Sequence, residues 1–463
     1  MIQARATTGI SVTFHGAAQT VTGSMHLLET SDARILLDCG LMLGNRDDVH
    51  QRNRQFPFAP SWIDAVLLSH AHIDHCGNLP NLVRQGFTGP IYCTPATRDL
   101  LAIMLADSAK IQAEDAAHAR RVDESSTALL YTGREVEQTL TQCVTVPYRT
   151  SQEVAAGIRM QFHDAGHLLG SAIIAVTCDV GGETRTITFT GDLGRDSLHF
   201  LRKPEALPPC DMVICESTYG GRLHQSPESL NQRLHEAVEK TLQRGGKVLI
   251  PAFSLGRAQI VVHYLREAMR DGRLPKAPLY VDSPLATQIA HVYRRHPGCL
   301  ASGVADTMND HESIHYVSDF QESRDLSTRK GPCVLVASGG MCEAGRILHH
   351  LEKNIDDPRN SVILVSYQAP GSLGRKLMER GPTVRVRRKL CNKWADIIDV
   401  NGFSGHADQN DLLKQLRPLA ASQPRVRLVH GDLDQANALA SVLRAEGFID
   451  VAIPQREDSA SVA

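Results

Sequence analysis

Residues 70–75 read His-Ala-His-Ile-Asp-His and directly follow a short apolar run. At a strand end, His70 and His72 would share one face because side chains alternate along a strand. A following turn can direct Asp74 and His75 toward a second point nearby. Imidazole and carboxylate ligands without a thiolate suit zinc, manganese, iron or nickel and argue against a cysteine-type structural zinc site. The segment therefore predicts ligands for two metal ions.

Two ions require more ligands than one segment supplies, and three other side chains lie in a similar context. His167, Asp192 and His430 each sit in a glycine-containing turn after a strand-like apolar segment. Taken singly, such a residue is more often a turn or cap residue than a ligand. The shared context favours a common role, so we expect all three to complete the metal site.

Four segments of the first half, in order, resemble the motifs of the metallo-β-lactamase superfamily: Leu-Leu-Asp-Cys-Gly at 36–40, the histidine segment, His167 and Asp192. Three later segments resemble motifs A, B and C of its β-CASP ribonuclease branch: Cys-Glu-Ser-Thr-Tyr-Gly at 215–220, Phe-Ser-Gly-His-Ala-Asp at 403–408 and Val-His-Gly-Asp at 429–432. That branch includes the polyadenylation-factor endonuclease and its bacterial relatives. The resemblance extends over nearly the whole chain, whereas the histidine segment alone would be shared with glyoxalase-type thioesterases.

The resemblance implies a ligand set for two ions. One ion would be held by His70, His72 and His167, the other by Asp74, His75 and His430, and Asp192 would bridge them. Two zinc ions are the expected cofactors, with manganese as an alternative. A water between the ions would be acidified and would attack a phosphodiester in line.

The resemblance also implies catalytic roles for Asp74, Asp192, Glu216 and His406. His406 would protonate the departing oxygen, since imidazole titrates near the working pH. Glu216 would hold the other ring nitrogen and set the tautomer of the imidazole. Asp38 is expected to order the histidine segment from behind the ligands, with a turn-forming aspartate as the alternative.

Contacts with the substrate are predicted in the second half of the chain. Ser338, Gly339 and Gly340 join a strand to a helix, so their backbone amides could cradle a phosphate. Arg375 follows the next strand in an equivalent loop. A tight turn without a ligand is the alternative for each loop, but the resemblance places the Ser-Gly-Gly loop against the RNA backbone. The basic run at residues 385–389 alternates like a strand and is predicted to be a solvated sheet face, with RNA contact as the alternative.

The elements that must position these residues indicate an α/β protein. Four apolar runs after residue 209 are typical of a parallel sheet covered on both faces, and helical segments alternate with them. With the resemblance, this predicts a metallo-β-lactamase αββα sandwich with an inserted, doubly wound α/β β-CASP domain. The predicted boundaries are 1–208, 209–395 for the insertion, and 396–463, which must return to the first part because it carries His430. Residues 46–54 and 123–138 are expected to be irregular, and 455–463 a frayed tail.

Composition narrows the class of protein. The net charge of −2 over 463 residues gives no global electrostatic case for nucleic acid, so any positive charge toward RNA must be local. Eleven cysteines without a C-x-x-C pair, and the lack of a signal peptide, predict reduced thiols in the cytoplasm. No run is long enough for a membrane span. Monomer and homodimer both remain open.

The sequence thus predicts a metal-dependent ribonuclease for single-stranded RNA, an endonuclease with 5′-exonuclease activity left open. A DNA nuclease and a small-molecule metallohydrolase such as a thioesterase are the alternatives among enzymes. The large insertion argues against the thioesterase, which would need no such addition. A non-catalytic RNA-binding subunit is the alternative outside the enzymes, and the presence of every predicted ligand argues against it.

Overall fold

The computed structural model describes residues 9–44, 47–121, 129–309, 313–400 and 402–462. The chain divides into two compact units. The first unit comprises Met1–Asp196, Arg202–Leu223 and His406–Ala463, and the second comprises Ser197–Leu201 and His224–Gly405. The second unit thus extends past the predicted boundary at residue 395. The domain boundaries themselves stay a prediction.

The first unit contains two sheets, and its elements are numbered along the chain. The first sheet is made of β1 (Ser11–Phe14), β2 (His26–Glu29), β3 (Arg34–Leu37), β4 (Ala65–Leu67), β5 (Ile91–Cys93), β6 (Cys143–Thr145) and β22 (Ser459–Ser461). Its order is β22-β1-β2-β3-β4-β5-β6. The second sheet is made of β7 (Ser151–Ala155), β8 (Ile158–Asp164), β9 (Ala172–Val180), β10 (Glu183–Phe189), β11 (Met212–Glu216), β20 (Arg425–Val429) and β21 (Val451–Ala452). Its order is β21-β20-β11-β10-β9-β8-β7.

The two sheets share one buried core. Leu37 from the first sheet and Phe162 and Phe189 from the second belong to the same apolar cluster, so the inner faces pack together. The helices of this unit are α1 (Asp47–Arg54), α2 (Ile73–Cys76), α3 (Leu79–Arg84), α4 (Pro95–Arg121), α5 (Gly133–Thr141), α13 (Gln409–Leu416) and α14 (Leu433–Ala445), with 3₁₀ turns at Pro60–Trp62 and Arg417–Ser422. Helices α3, α4 and α5 contribute to a cluster with the first sheet, and α13 and α14 to a cluster with the second. This layering is the predicted αββα sandwich, which is confirmed.

Three local expectations in this unit are wrong. Residues 47–54 form α1, where the Asn53 side chain accepts a hydrogen bond from the Met42 amide and donates one to the Met42 carbonyl, each 2.8 Å long. Residues 133–141 form α5, which begins with a capping box between Thr132 and Glu135. Residue 46 of the first prediction and residues 123–128 of the second lie outside the described part. The expected tail forms β22 because it pairs antiparallel with β1, where the Thr13 and Ser459 hydroxyls are 2.7 Å apart.

The second unit is built on a six-stranded parallel sheet. Its strands are β12 (Lys247–Ala252), β13 (Leu279–Asp282), β14 (Ile314–Val317), β15 (Cys333–Ser338), β16 (Ser361–Leu364) and β19 (Asp396–Asp399), in the order β14-β13-β15-β12-β16-β19. Its helices are α6 (Pro227–Gln243), α7 (Arg257–Arg270), α8 (Pro284–Arg295), α9 (Val304–Asn309), α10 (Phe320–Thr328), α11 (Ile347–Asn354) and α12 (Leu373–Met378), with a 3₁₀ turn at Pro297–Cys299. Strands β12 and β15 are buried nearly throughout, as expected of strands between helices. The inserted α/β domain is thus confirmed.

The basic run forms a hairpin. Strands β17 (Thr383–Val386) and β18 (Lys389–Asn392) pair antiparallel, and Arg387 and Arg388 lie at the turn.

No helix within the described residues is both long and apolar enough to cross a bilayer. All eleven cysteines lie in the described residues, and each is a free thiol.

Candidate metal centre and catalytic residues

The histidine segment leaves the first sheet where β4 ends, and Asp38 holds it in place. The Ser69 amide donates to Asp38 Oδ1 and the Ser69 hydroxyl donates to Oδ2, each at 2.8 Å. The carboxylate also lies 2.7 Å from His75 Nδ1 and accepts from the Ser24 hydroxyl at 3.1 Å. Asp38 itself has a φ of 58°, a left-handed conformation that aspartate tolerates better than most residues. The carboxylate thereby orients the His75 ring toward the interior of the site.

The short helix α2 carries Asp74 and His75 and packs closely against the Asp38 turn. A Cβ added to Gly40 would lie 1.6 Å from the Asp74 carbonyl oxygen. The Cys39 amide donates to the His75 carbonyl at 2.8 Å. Because only glycine permits this approach, the Leu-Leu-Asp-Cys-Gly motif and the histidine segment are held as one structure.

The remaining ligand candidates come from the second sheet. His167 lies in the β8–β9 turn, where its amide donates to the Ser171 hydroxyl at 3.1 Å. Asp192 follows β10, and His430 follows β20 with a φ of 49°. The His430 amide donates to the Ala17 carbonyl at 2.7 Å, which secures this unusual conformation.

These side chains converge in two groups that could each hold a metal ion. The members of each group present ligand atoms within 4.8 Å of one another; the groups are His70, His72, His167 and Asp192, and Asp74, His75 and His430. In the first group, His70 Nε2 and His72 Nδ1 are 3.0 Å apart. In the second, His75 Nε2 and His430 Nε2 are 3.0 Å apart. The structure thus brings together all seven predicted ligands.

The Asp192 carboxylate contacts rings from both groups. Its Oδ2 lies 3.4 Å from the Nε2 atoms of both His70 and His75, and its Oδ1 lies 3.3 Å from His430 Nδ1. Burial would raise the pKa of this carboxyl, but the surrounding histidines lower it well below its usual range. The pKa of Asp74 is likewise lowered to about 2, against the effect of burial, chiefly by a hydrogen bond with His430.

The donor set fits divalent metal ions. Ring nitrogens face one another across about 3 Å in a buried site. Burial lowers the pKa of His70 and His72, for His72 to about 4, so these rings are neutral at pH 7. Neutral imidazoles and carboxylates without a thiolate are ligands for zinc, manganese and related metals.

His406 and Glu216 lie beside these groups. His406 Nδ1 is 3.2 Å from Glu216 Oε2, and Glu216 Oε1 accepts from the Leu193 amide at 2.6 Å. The Ala407 amide donates to the Leu193 carbonyl at 2.7 Å, and Asp408 caps α13, so the backbone on both sides of His406 is fixed. Burial lowers the pKa of His406, but the carboxylates of Glu216 and Asp192 outweigh this and raise it to about 9.

A third group of possible ligands consists of Asp192, Glu216 and His430. The sequence assigned Glu216 to orienting His406 and did not include it among the metal ligands. Because the Glu216 carboxylate faces His406 and accepts from the Leu193 amide, these contacts account for both of its oxygens. We therefore keep Glu216 as a partner of His406.

The predicted RNA-contacting residues lie in the second unit, at the carboxyl edge of its sheet. Ser338 ends β15 and its hydroxyl accepts from the Arg346 amide at 3.3 Å. The Gly340 carbonyl accepts from the Gln368 side chain at 2.9 Å, and Arg375 Nε donates to the Gln368 carbonyl at 3.1 Å. The two predicted loops are therefore joined through Gln368.

Two residues that hold site residues in place, Thr218 and Ser69, were not predicted from the sequence. Thr218 Oγ1 donates to the His430 carbonyl at 2.9 Å and lies 3.1 Å from His430 Nδ1. Ser69 links Asp38 to the histidine segment. Thr218 belongs to the 215–220 motif and Ser69 directly precedes His70, so adjacency to a predicted site residue was the available signal.

Three family models match consecutive parts of the chain. A beta-lactamase superfamily domain matches residues 33–251, a Beta-Casp domain matches 258–377, and a Zn-dependent metallo-hydrolase RNA specificity domain matches 394–454. The last model covers the segment that carries His406 and His430. These matches follow the order of the motifs in the sequence.

Whole-length relatives agree with the family models. Ribonuclease TTHA0252 of Thermus thermophilus is 37% identical over 93% of this chain and 95% of the relative. Transcription termination factor FttA of Pyrococcus horikoshii is 30% identical over 97% of this chain and 70% of the relative. A crystal structure of a protein of unknown function from Enterococcus faecalis V583 is similar with a TM-score of 0.53 and 15% identity, over 98% of this chain and 100% of that chain. This last likeness concerns the fold alone.

Proposed function

Because this chain belongs to the β-CASP ribonuclease branch of the metallo-β-lactamase superfamily, we propose that it cleaves single-stranded RNA internally at a centre of two zinc ions. Membership of this branch makes it a metal-dependent ribonuclease, as predicted. The single observation that supports the two-ion centre is the position of the Asp192 carboxylate, which contacts histidines from both ligand groups. The number and identity of the ions, the endonuclease mode and a cytoplasmic location are parts of the proposal.

His70, His72 and His167 would hold one ion and Asp74, His75 and His430 the other, with Asp192 shared. When bound, the ions supply Lewis acidity that activates water and offsets the charge of the scissile phosphate. Asp38 keeps the His75 ring in a fixed orientation, and Thr218 does the same for His430. These contacts restrain both rings in the site.

His406 is the proposed general acid. Glu216 lies against Nδ1 of the ring, so Nε2 is the nitrogen assigned to protonate the oxygen that leaves the phosphorus. The backbone contacts on both sides of His406 limit its movement. Glu216 would act as an orienting residue, since its carboxylate faces the imidazole and the Leu193 amide.

The proposal is tested with the purified protein, its metal content measured by elemental analysis. Linear end-labelled RNA, a circular RNA and DNA of matching sequence are incubated with and without a chelator. We expect close to two zinc ions per chain and cleavage of both RNAs. Chelator should abolish cleavage because the ions activate the water. DNA should be cleaved little because the substrate is recognised as RNA. Cleavage of linear RNA but not of circular RNA would indicate a 5′-exonuclease and contradict the endonuclease proposal. Equal rates on RNA and DNA would indicate a general phosphodiesterase.

A further inference from the structure

Two aromatic side chains are exposed at the carboxyl edge of the parallel sheet in the second unit. Phe253 directly follows β12 and is 43% exposed, and Tyr367 follows the neighbouring strand β16 and is 48% exposed. In open α/β sheets, ligands bind outside the carboxyl ends of the strands.

The Phe253 ring rests on the backbone of Gly340. A Cβ added to Gly340 would lie between 2.9 and 3.0 Å from Cδ2, Cε2 and Cγ of this ring. Three atoms of one ring at nearly equal distance mean that the ring turns a face toward Gly340. One face is therefore supported by the loop, and the exposure of Phe253 arises from the rest of the ring.

Two arginines hold the segment that carries Tyr367. Arg257 donates from Nη1 to the Val365 carbonyl at 3.0 Å, and Arg375 donates from Nε to the Gln368 carbonyl at 3.1 Å. The two arginines end identical Ser-Leu-Gly-Arg sequences, at residues 254–257 and 372–375. Tyr367 thus lies between two hydrogen-bonded carbonyls, which restrain its backbone.

The same loop connects both aromatics. The Gly340 carbonyl accepts a hydrogen bond from the side chain of Gln368, the residue after Tyr367. A Cβ on Gly374 would lie 1.6 Å from Gln368 Oε1, which shows how closely that side chain is enclosed. Phe253 and the segment of Tyr367 are therefore both linked to the glycine loop, and we call these residues the aromatic edge.

We propose that the aromatic edge binds unpaired bases of the RNA substrate by stacking on Phe253 and Tyr367. Every base has a π-face, so stacking on fixed aromatic rings is sequence-tolerant and suits a single strand. Duplex RNA is excluded because its bases already stack on one another. The assignment rests on the proposed function, since it requires that the substrate is RNA, and it adds a base-binding subsite to the predicted backbone contacts of residues 338–340.

The test compares two substrates with the same ribose-phosphate backbone, an RNA oligomer and an oligomer with an internal abasic stretch. Phe253→Leu and Tyr367→Leu keep apolar bulk but remove the ring. Each should lower kcat/KM on RNA by about 5- to 100-fold through a higher KM, the scale of one base–aromatic stack, and leave the abasic rate unchanged. Phe253→Trp, which retains a stacking face, should retain most of the activity.

Trp394→Leu is the matched control. Trp394 is 58% exposed and precedes β19, so it lies at the amino edge of the same parallel sheet. Trp394→Leu should leave the cleavage rates of the RNA oligomer and of the abasic oligomer unchanged. Unchanged kcat/KM on RNA in both leucine variants, equal losses on the two substrates, or an equal loss in the control would each overturn the aromatic edge. Failure of the wild-type chain to cleave RNA at all would instead overturn the proposed function, and this inference with it.

Discussion

Each unit buries an aspartate at the carboxyl end of a strand in contact with histidine, but the two clusters differ in how charge is balanced. In the second unit, Asp282 ends β13 and its carboxylate binds His350 Nε2 at 2.6 Å, the Ser323 hydroxyl at 2.5 Å and the Arg346 guanidinium. His350 Nδ1 in turn lies 2.9 Å from the Ser327 hydroxyl. This cluster supplies its own donors and acceptors.

In the first unit, ring nitrogens face other ring nitrogens. His70 faces His72 and His75 faces His430, each pair at 3.0 Å, and Asp192 is shared among several rings. A bound metal ion would accept electron pairs from several of these rings at once. Aspartate at a strand end and histidine around it can thus build either a metal site or a closed hydrogen-bond network. What decides between them is whether the ring nitrogens and carboxylates face hydrogen-bonding partners or face other ring nitrogens.

The largest effect is expected at Asp192. Asp192→Ala should lower the metal content of the protein and reduce RNA cleavage to background, because one carboxylate contacts both ligand groups. Asp282→Ala, the corresponding change in the second unit, should leave the metal content unchanged. Elemental analysis of both variants checks the comparison, and metal loss from the Asp282 variant would contradict it.

A smaller effect is expected at His406, which lies beside the ligand groups without belonging to them. His406→Ala should retain metal but lower RNA turnover by roughly two to four orders of magnitude, the usual scale for a general acid. Glu216→Gln should lower RNA turnover by less, because the imidazole remains. The His406→Ala variant should cleave an activated aryl phosphodiester, whose leaving oxygen needs no proton, almost as fast as the wild type does. Loss of metal, or equal losses on both substrates, would make His406 a ligand or a structural residue.

In the second unit the expected effect is on stability. Asp282→Ala leaves the buried His350 and the partly buried Arg346 without their carboxylate, so we expect a loss of about 3 kcal/mol in the free energy of unfolding. Burial would raise the pKa of Asp282, but hydrogen bonds from His350, Ser323 and Arg346 lower it overall. Its contribution is therefore present above the ordinary aspartate pKa and is lost as pH falls below it.

Denaturant unfolding at pH 7 and at pH 3 measures this effect. The difference between wild type and the Asp282 variant should shrink at the lower pH. A difference that is independent of pH would mean that Asp282 stabilises by packing rather than by its charge.

The smallest effect is expected at Asp38, which contacts a predicted ligand from behind. Asp38→Asn keeps the shape of the side chain but weakens its hold on His75 Nδ1, so metal affinity should fall by about 10- to 100-fold. Competition with a chelator of known affinity measures the change. Ser24→Ala, which removes a weaker contact to the same carboxylate, is the matched control and should change the affinity less.

Much of the metal site was predictable because its ligands carry their chemistry in their type and local position. The histidine segment reads as a strand end followed by a turn, and His167, Asp192 and His430 share a recognisable context. The parallel sheet of the second unit was predictable for a similar reason, since strands buried on both faces are continuous apolar runs. These signals are local, and a single sequence preserves them.

Only the tertiary structure decided which of these residues meet, and what holds them. The polar segment at the C-terminus became β22 because β1 offered an unpaired edge, which no local pattern reveals. Thr218 and Ser69 acquire their roles through contacts with His430 and Asp38, and Gly340 through the ring of Phe253. Side-chain type is written in the sequence, whereas the direction in which a donor points depends on packing between segments far apart in the chain.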